Sequence, residues 1–309
     1  MNDPTDTLVV TVILATYNGE KYLPQQLASL AAQSRRPDRI VLRDDGSVDR
    51  SIEMIQAWAN LNNIELQQVY GHRLGPALSF LSALEAAKPS DLYMFCDQDD
   101  VWLPDKIARA MANVECTHNA APTLYATRLE VVDASLNRLS TSKTPSTLSF
   151  SSAVCESVLT GCTMAFNAPF QQRLSSAMPR FAVMHDWWCY LVATGTLGAK
   201  LHFDDAPTML YRQHDHNAMG AEPKGLSKMQ ARIRQFVGSR NAIRSRQLAE
   251  FSRLHYTDLD PEALRLINQL LPTERSFRSR LRASLCAAIS RQSKLNILST
   301  RIALLTNRY

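Results

Sequence analysis

The sequence predicts an α/β protein with a doubly wound, mainly parallel β-sheet, followed by a basic helical C-terminal extension. Apolar, β-branched runs alternate with amphipathic helical segments in the first third of the chain. The charge then changes sign: residues 1–227 hold 18 Lys or Arg and 24 Asp or Glu, whereas residues 228–309 hold 16 and 5. We therefore expect an α/β domain over residues 1–226 and a basic helical region over residues 227–309.

The first four strands and the three helices between them follow from hydrophobic patterning. The first strand, LVVTVILA at 8–15, is apolar throughout, as expected of a strand that is covered on both faces. The later strands are predicted at 39–43, 64–70 and 92–96, and the helices at 22–33, 49–60 and 76–87. Ligands of such a sheet bind beyond the carboxyl ends of its strands.

Beyond residue 103 the pattern is less regular. It predicts a helix at 104–117, a strand near 123–126, a polar loop at 137–151, a strand or turn at 158–167, a helix around 187–194 and arginine-rich helices from 227 onward.

Composition limits the class of protein. Hydrophobic residues make up 45% and charged residues 20% of the 309, as in soluble globular proteins. No apolar stretch approaches the ~20 residues that a membrane span needs, and the N-terminal run lacks the basic residues that precede a signal peptide core. The six cysteines show no CxxC spacing, so we expect reduced, mostly buried thiols and a cytoplasmic protein.

Three polar clusters, TYNG, DDGS and DQDD, each directly follow a predicted strand. Because parallel strands end at the same edge of a sheet, these clusters should line one crevice.

The cluster DQDD is the most informative of the three. Carboxylates this close repel one another, and a cation would remove the repulsion. Asp97 and Asp99 have the Asp-x-Asp spacing suited to Mg²⁺ or Mn²⁺ beside a substrate diphosphate. The alternative is a turn in which Asp100 or Asp105 caps the next helix, and for Asp105 we prefer it.

The other two clusters are weak signals by themselves. In DDGS, which is a common turn sequence, a carboxylate could accept the imide N–H of a uracil or thymine base. In ATYNG, Thr16 and Tyr17 could expose backbone groups and a ring face to the same base.

The motif HDWW places Asp186 between a histidine and two tryptophans. Aromatic neighbours raise the pKa of a carboxyl group, which suits a general base, and Trp187 and Trp188 could stack on acceptor sugar rings. The alternative is that Asp186 only caps the helix that follows.

The motif YRQHDHN brings two histidines close together. Two histidines without a third ligand make a weak zinc signal, and Arg212 and His214 would serve equally well beside a diphosphate.

Six motifs in this order resemble glycosyltransferase family 2, and its bacterial rhamnosyltransferase-like branch in particular. They are ATYNG, RDDGS, DQDDVWLPDK, LTGCTMAFN, HDWW and YRQHxxN, and they span roughly residues 8–220.

The resemblance implies a GT-A fold, a nucleotide-sugar donor, a divalent cation and inversion at the anomeric carbon. It places Thr16, Tyr17, Asp45, Asp97 and His214 at the donor, Asp97 and Asp99 at the metal with Asp99 the more direct ligand, Gly161 and Cys162 by the acceptor, and Asp186 as the catalytic base. This sequence departs from the family pattern at Ser79, where Asn is frequent, and at residues 215–216, where a small or glycine-rich pair is usual.

These expectations define a donor and an acceptor. The donor is a dTDP- or UDP-linked sugar, and the acceptor is a glycan or a lipid-linked oligosaccharide. The basic tail could bind an anionic membrane surface at the inner face of the cytoplasmic membrane, or it could pack on the acidic body. Nucleic acid is not expected, because the tail lacks interleaved aromatic residues.

Two other functions use the same features. A metal-dependent phosphohydrolase or nucleotidyltransferase would use the carboxylates of DQDD, but it would give HDWW no function. A non-catalytic protein that binds anionic polymers would employ only the tail.

Overall fold

The computed structural model describes residues 8–117, 119–214, 243–271, 276–286, 289–292, 294–306 and 309. Within these ranges the strands are β1 Val10–Thr16, β2 Arg39–Asp44, β3 Glu65–Val69, β4 Leu92–Cys96, β5 Val101–Trp102, β6 Thr123–Val132, β7 Arg138–Thr141, β8 Ala165–Asn167 and β9 Lys200–Arg212. The helices are α1 Leu23–Ala31, α2 Ser51–Asn62, α3 Pro76–Ala86, α4 Lys106–Asn113, α5 Phe150–Ala153, α6 Ala168–Ser175, α7 His185–Gly195, α8 Ile243–Leu254, α9 Pro261–Leu270, α10 Phe277–Ser284 and α11 Lys294–Leu305.

One sheet organises the chain, with strand order β3-β2-β1-β4-β8-β6-β9-β5 and with β7 paired to β6. The first four strands of this order are parallel, as the alternation of strands and helices predicts. Beyond β4 the pairing is mixed: β8 runs antiparallel to both neighbours, and β6 and β9 run parallel to each other. The predicted α/β class is confirmed.

The central strands are apolar throughout because helices cover both faces of the sheet. Successive residues of a strand point to opposite faces. On β1, Ile13 packs with the core that includes Phe80 of α3, whereas Val12 and Leu14 pack with the core that includes Leu27 of α1. All four of the aliphatic side chains and Phe80 are buried.

Three strands are absent from the sequence prediction, namely β7, β9 and the two-residue β5. Strand β7 lies within the stretch 137–151, which the sequence predicts to be a loop, so that prediction is wrong there. Strand β9 is thirteen residues long, but Asp204, Asp205 and Pro207 interrupt its apolar pattern. These residues lie where the pairing with β6 shifts register, and Asp204 accepts hydrogen bonds from Arg109 and Tyr125 at 2.7 Å each.

The described part of the C-terminal region is helical, as predicted, and it packs on the body. Phe251 of α8 is fully buried, with its ring 5.6 Å from Phe150 and 5.9 Å from Trp188. Arg291 pairs with Glu156 at 2.7 Å. Packing on the body is therefore confirmed for these residues, whereas the domain boundary at 226 lies outside the described residues and stays a prediction.

Two further expectations concern cysteines and membrane spans. All six cysteines are free, and all but Cys116 are buried, as predicted. None of the helices in the described ranges combines the length and the hydropathy that crossing a bilayer requires.

Replacing Phe251 tests whether the C-terminal helices fold together with the body. Phe251→Ala should lower the free energy of unfolding by about 3–5 kcal/mol, because the cavity opens where two regions of the chain meet. Denaturant unfolding followed by tryptophan fluorescence measures this change.

The matched control is Phe277→Ala, since that ring is 61% exposed. It should change the stability by no more than about 0.5 kcal/mol. An unchanged main unfolding transition in Phe251→Ala would show that the two regions fold separately.

Candidate active site

A crevice lies beyond the carboxyl ends of β1, β2 and β4. Strand β1 lies between the other two, so the loops that follow all three strands meet at one edge of the sheet. The Asp45 amide donates to the Thr16 carbonyl at 2.9 Å, and the Tyr17 amide donates to the Gln98 side chain at 2.9 Å. The convergence of TYNG, DDGS and DQDD is therefore confirmed.

Gln98 joins the first loop to the third, which the sequence does not reveal. Its Oε1 also accepts from the Thr16 hydroxyl at 2.6 Å, and its Nε2 donates to the Tyr17 carbonyl at 3.2 Å. A Cβ on Gly19 would lie 2.4 Å from Gln98 Oε1, so a side chain at this position would displace the Gln98 amide. Thr16 is buried, whereas the Tyr17 ring is 40% exposed and carries the Arg73 guanidinium 4.1 Å above it.

Asp45 is buried at the end of β2, where it anchors the segment that leads into α3. Its carboxylate accepts from the Leu74 amide at 2.9 Å, the Gly75 amide at 2.7 Å and the Ser79 hydroxyl at 2.8 Å. Burial raises the pKa of Asp45, but these hydrogen bonds outweigh it and leave the pKa below its ordinary value. Oδ2 accepts only the Gly75 bond among these three, so it can accept from a further donor such as an imide.

The three carboxylates of DQDD have three different environments. Asp97 is half-buried, and its burial, followed by the charges of Asp99 and Asp186, raises its pKa to about 7. Asp99 is also half-buried and contacts His214, with 2.8 Å between Oδ2 and Nε2. Asp100 is fully buried, and burial together with the charges of Asp97 and Asp99 raises its pKa well above the ordinary value. Burial therefore favours the neutral form of Asp100.

Lys106 is the buried positive charge that faces this cluster. Its Nζ donates to the Cys162 carbonyl at 2.8 Å and to the Thr208 hydroxyl at 3.4 Å. Burial lowers the pKa of Lys106 to about 8, while the nearby acidic groups, Asp97 and Asp100 among them, oppose that change. Sequence reasoning missed this residue, although it closes the motif DQDDVWLPDK, because a lysine at the start of a helix usually faces solvent.

Arg212 has a different place from the one that the sequence suggests. It is 1% exposed, so its guanidinium does not reach a bound diphosphate, and the prediction of donor contact is wrong. Its Nε donates to the Asp99 carbonyl at 2.8 Å and its amide donates to Asp100 at 3.0 Å. Arg212 instead fixes the backbone of the DQDD loop.

His214 lies beside the DQDD loop, where it contacts Asp99. Besides its contact with Asp99, its ring stacks on Tyr22, with 4.6 Å between the ring centroids. The departure at residues 215–216 lies outside the described residues.

Asp186 is in the first turn of α7 and faces the same crevice. Oδ1 accepts from the Trp187 amide at 2.6 Å, and Oδ2 accepts from the Gly161 amide at 3.2 Å. Met184, and not Asp186, occupies the N-cap position of α7. Capping of this helix is therefore not the whole role of the Asp186 carboxylate. Burial raises the pKa of Asp186 to about 6, and its charge in turn raises the pKa of Asp97.

Gly161 is required where the turn before β8 meets α7. A Cβ at this position would lie 2.1 Å from Nε2 of His185. The His185 ring is buried between Phe80 at 4.1 Å and Phe95 at 4.8 Å, and burial lowers its pKa to about 3. The neutral His185 ring therefore packs against Gly161 and fixes the position of this turn relative to Asp186.

The predicted acceptor residues separate into two groups. Trp188 and Cys162 are fully buried, so neither side chain reaches an acceptor. The stacking predicted for Trp188 is therefore wrong, whereas the position of Cys162 beside the acceptor stays a prediction. The Trp188 indole packs edge-on against Phe251, in the core. Trp187 is half-buried, with its indole N–H donating to the Ala153 carbonyl at 2.6 Å, and its acceptor role stays a prediction, as does that of Gly161.

Two overlapping sets of side chains could hold a metal ion. The ligand atoms of Asp97, Asp100 and Cys162 lie within 4.8 Å of one another. However, Asp100 and Cys162 are fully buried, and a thiol is a poor ligand for a hard cation. The half-buried carboxylates of Asp97 and Asp99 suit Mg²⁺ or Mn²⁺ better.

The mixed sheet, with its crevice at the ends of the parallel strands, defines an α/β protein of the GT-A class. Residues 11–173 match the family model "Glycosyl transferase family 2". The chain belongs to glycosyltransferase family 2, and it is a glycosyltransferase. A hydrolase, a nucleotidyltransferase and a non-catalytic binder are thereby set aside.

Curated relatives point the same way. The "dTDP-rhamnosyl transferase RfbG" of Shigella flexneri is 27% identical over 221 residues, which cover 67% of this chain and 74% of that protein. The "Poly(ribitol-phosphate) beta-N-acetylglucosaminyltransferase TarS" of Staphylococcus aureus is 30% identical over 111 residues, which cover 35% of this chain and 19% of the relative. The predicted rhamnosyltransferase-like resemblance is confirmed.

Solved structures share the fold. The crystal structure of S. aureus TarS 1–349 in complex with UDP-GlcNAc has a TM-score of 0.54 at 19% identity and covers 97% of this chain and 92% of that chain. Mannosyltransferase PcManGT from Pyrobaculum calidifontis, in complex with GDP-Man and Mn²⁺, has a TM-score of 0.54 at 18% identity and covers 98% and 76%. The GT-A fold predicted from the sequence is confirmed.

Replacing Gly161 tests how the turn positions Asp186. Gly161→Ala should destabilise the protein by about 1–3 kcal/mol, because the methyl group overlaps the His185 ring, and it should lower turnover by displacing the amide that holds Asp186. Thermal unfolding and steady-state kinetics measure the two effects.

The double variant Gly161→Ala/His185→Ala provides the matched control, since it removes the ring that the methyl group meets. It should recover part of the stability that the single changes lose in sum. Strict additivity of the two changes would contradict the packing account.

Proposed function

We propose that this glycosyltransferase moves a sugar from a nucleoside-diphosphate donor to a hydroxyl group of a cell-surface polysaccharide precursor, with inversion at the anomeric carbon. The observation that carries the proposal is the proximity of two kinds of carboxylate. Asp97 and Asp99 offer oxygens to a cation, and Asp186 is near enough to raise the pKa of Asp97.

The donor is proposed from the relatives and from the crevice. A dTDP-linked sugar, rhamnose in particular, is suggested by the name of the Shigella relative, and UDP is the alternative. Tyr17 offers an exposed ring to the base, and Oδ2 of Asp45 can accept its imide N–H. His214, beside Asp99, is proposed to lie near the diphosphate.

The residues present fit a divalent cation, Mg²⁺ or Mn²⁺. Asp99 and Asp97 would hold it, with His214 within reach of the same oxygen of Asp99. The raised pKa of Asp97 results in part from negative neighbours, and a cation would favour its ionised form. When bound, such a cation would supply positive charge to the departing nucleoside diphosphate.

Asp186 is proposed as the general base. Above a pH of about 6 its carboxylate is ionised and can take the proton of the attacking acceptor hydroxyl. The Gly161 and Trp187 amides hold both of its oxygens, which fixes the direction of that transfer. Gly161 and Trp187 would border the acceptor, which we propose to be a glycan or a lipid-linked oligosaccharide at the inner face of the cytoplasmic membrane.

A panel of nucleotide sugars tests the proposal directly. With Mn²⁺ and without an acceptor, the enzyme should slowly release nucleoside diphosphate and free sugar from one donor, because water replaces the acceptor hydroxyl. Release of nucleoside monophosphate would indicate attack on the phosphate linkage instead. No turnover of any donor would contradict the proposal.

In that assay Asp186→Asn should lower turnover by about 10²- to 10⁴-fold and leave donor affinity unchanged. The wild-type rate should fall as the pH drops through about 6, where the base becomes protonated. Burial raises the pKa of Asp186 in the folded state to about 6, so the ionised carboxylate lowers the stability of the folded state above this pH. Asp186→Asn should therefore not lower Tm at pH 7.5. Normal turnover in this variant would exclude Asp186 as the base.

Asp99→Asn tests the metal site separately. In the presence of Mn²⁺ it should weaken nucleoside-diphosphate binding by about 10- to 100-fold, the scale of a lost charged contact of about 1.5–3 kcal/mol. Titration calorimetry with and without Mn²⁺ measures the affinity. Asp105→Asn is the matched control, because Asp105 is exposed and makes no side-chain capping bond. If Mn²⁺ strengthens binding equally in both variants, Asp99 is not the ligand.

A further inference from the structure

The last two described helices expose an apolar surface. On α10 and just beyond it, Phe277, Leu281 and Leu285 are 61%, 39% and 64% exposed. Their spacing of four residues places them along one side of the helix. On α11, which packs against α10, Leu298 and Ile302 are 55% and 38% exposed and have the same spacing. We call these five residues the C-terminal apolar surface.

Arginines flank this surface. Arg278 and Arg282 are exposed and four residues apart, next to the stripe of apolar residues on α10. Arg280 lies on the other side of the stripe, 6.0 Å from the centre of the Phe277 ring. From Ser276 to Tyr309 the chain holds seven basic residues and no acidic one. An anionic partner would therefore meet no repulsion from side chains of this segment.

The remaining sides of α10 and α11 face the protein. Ala283 and Ser284 of α10 and Ala303 and Leu304 of α11 are buried. Both helices are thus held by the fold, and the exposed apolar residues are not needed to hold them there.

We propose that the C-terminal apolar surface docks on an anionic lipid bilayer. A bilayer offers both things that this surface requires, which are an apolar layer for phenylalanine and leucine and anionic headgroups for the flanking arginines. The inference rests on the proposed function only because both place the enzyme at the membrane. It adds the surface of the protein that would bind there.

Two other occupants fit less well. A second copy of the chain, in a two-fold contact, would bring the arginines of α10 against their own counterparts. A nucleic acid would satisfy the arginines through its phosphates, but it would give the aliphatic side chains of this surface no apolar layer.

Co-sedimentation with vesicles tests the proposal. The full-length protein should bind vesicles of phosphatidylcholine mixed with phosphatidylglycerol at low salt, and it should bind pure phosphatidylcholine weakly. Phe277→Ser/Leu285→Ser should reduce the partition coefficient by about tenfold or more, because it removes the inserting side chains. Arg278→Glu/Arg282→Glu should reduce it by a similar factor.

Matched control variants change the same chemistry elsewhere. Leu61 and Tyr70 are 84% and 81% exposed on the α/β body, and Leu61→Ser/Tyr70→Ser should bind like the wild type. Arg180→Glu/Arg265→Glu makes the same change in net charge at exposed positions and should also bind like the wild type. Donor hydrolysis without vesicles should be equal in all of these variants, so a failure of lipid binding is separate from a failure of sugar transfer.

Several outcomes would overturn the proposal. One is that the wild type does not sediment with anionic vesicles at low salt. Another is that Phe277→Ser/Leu285→Ser binds normally while the arginine variant does not, which would indicate charge adsorption alone. A third is a dimer that dissociates in the apolar variant without any change in lipid binding, which would assign the surface to a second copy.

Discussion

The structure depends on one buried ammonium group that ties the segment after the DQDD loop to the turn before β8. Lys106 is 1% exposed and donates to the Cys162 carbonyl at 2.8 Å. Its charge lowers the pKa of Asp97, against the larger effects of burial and of the neighbouring carboxylates. Asp100 is fully buried and has its pKa raised well above the ordinary value, whereas Asp97 and Asp99 are half-buried. Part of the repulsion that makes this stretch unusual as a sequence is thus offset inside the protein, and we propose that a bound cation offsets the rest.

The same ammonium group also connects the two halves of the candidate site. Lys106 follows the proposed metal ligands along the chain and donates to the carbonyl of Cys162. The residue before Cys162 in the same turn, Gly161, donates its amide to Asp186. The distance between the donor side and the proposed base is therefore set by a rigid, buried contact rather than by loops alone. Transfer of a sugar between two held substrates needs such fixed geometry, since small displacements of reacting groups are costly.

Much of the fold can be predicted from the sequence, because strands covered on both faces are apolar throughout and are easily recognised. Strand β9 escapes this rule, since its aspartates form specific hydrogen bonds that composition does not reveal. In the candidate site, the clustering of carboxylates after a strand singles out Asp97 and Asp99, and the aromatic neighbours in HDWW single out Asp186, whose roles remain proposals. The assignments of Arg212 and Trp188 fail for a common reason: a motif gives a residue's neighbours along the chain, but burial decides whether its side chain faces ligand or protein.

The burial of the thiols has a practical consequence for labelling. Only the thiolate form reacts with alkylating reagents, and burial raises the pKa of Cys96, Cys155, Cys162 and Cys189 far from neutrality. The less buried Cys116 has its pKa raised to about 11. Maleimide dyes or spin labels should therefore react faster with a cysteine introduced on the surface, for example at the exposed position of Leu61, than with these five native thiols.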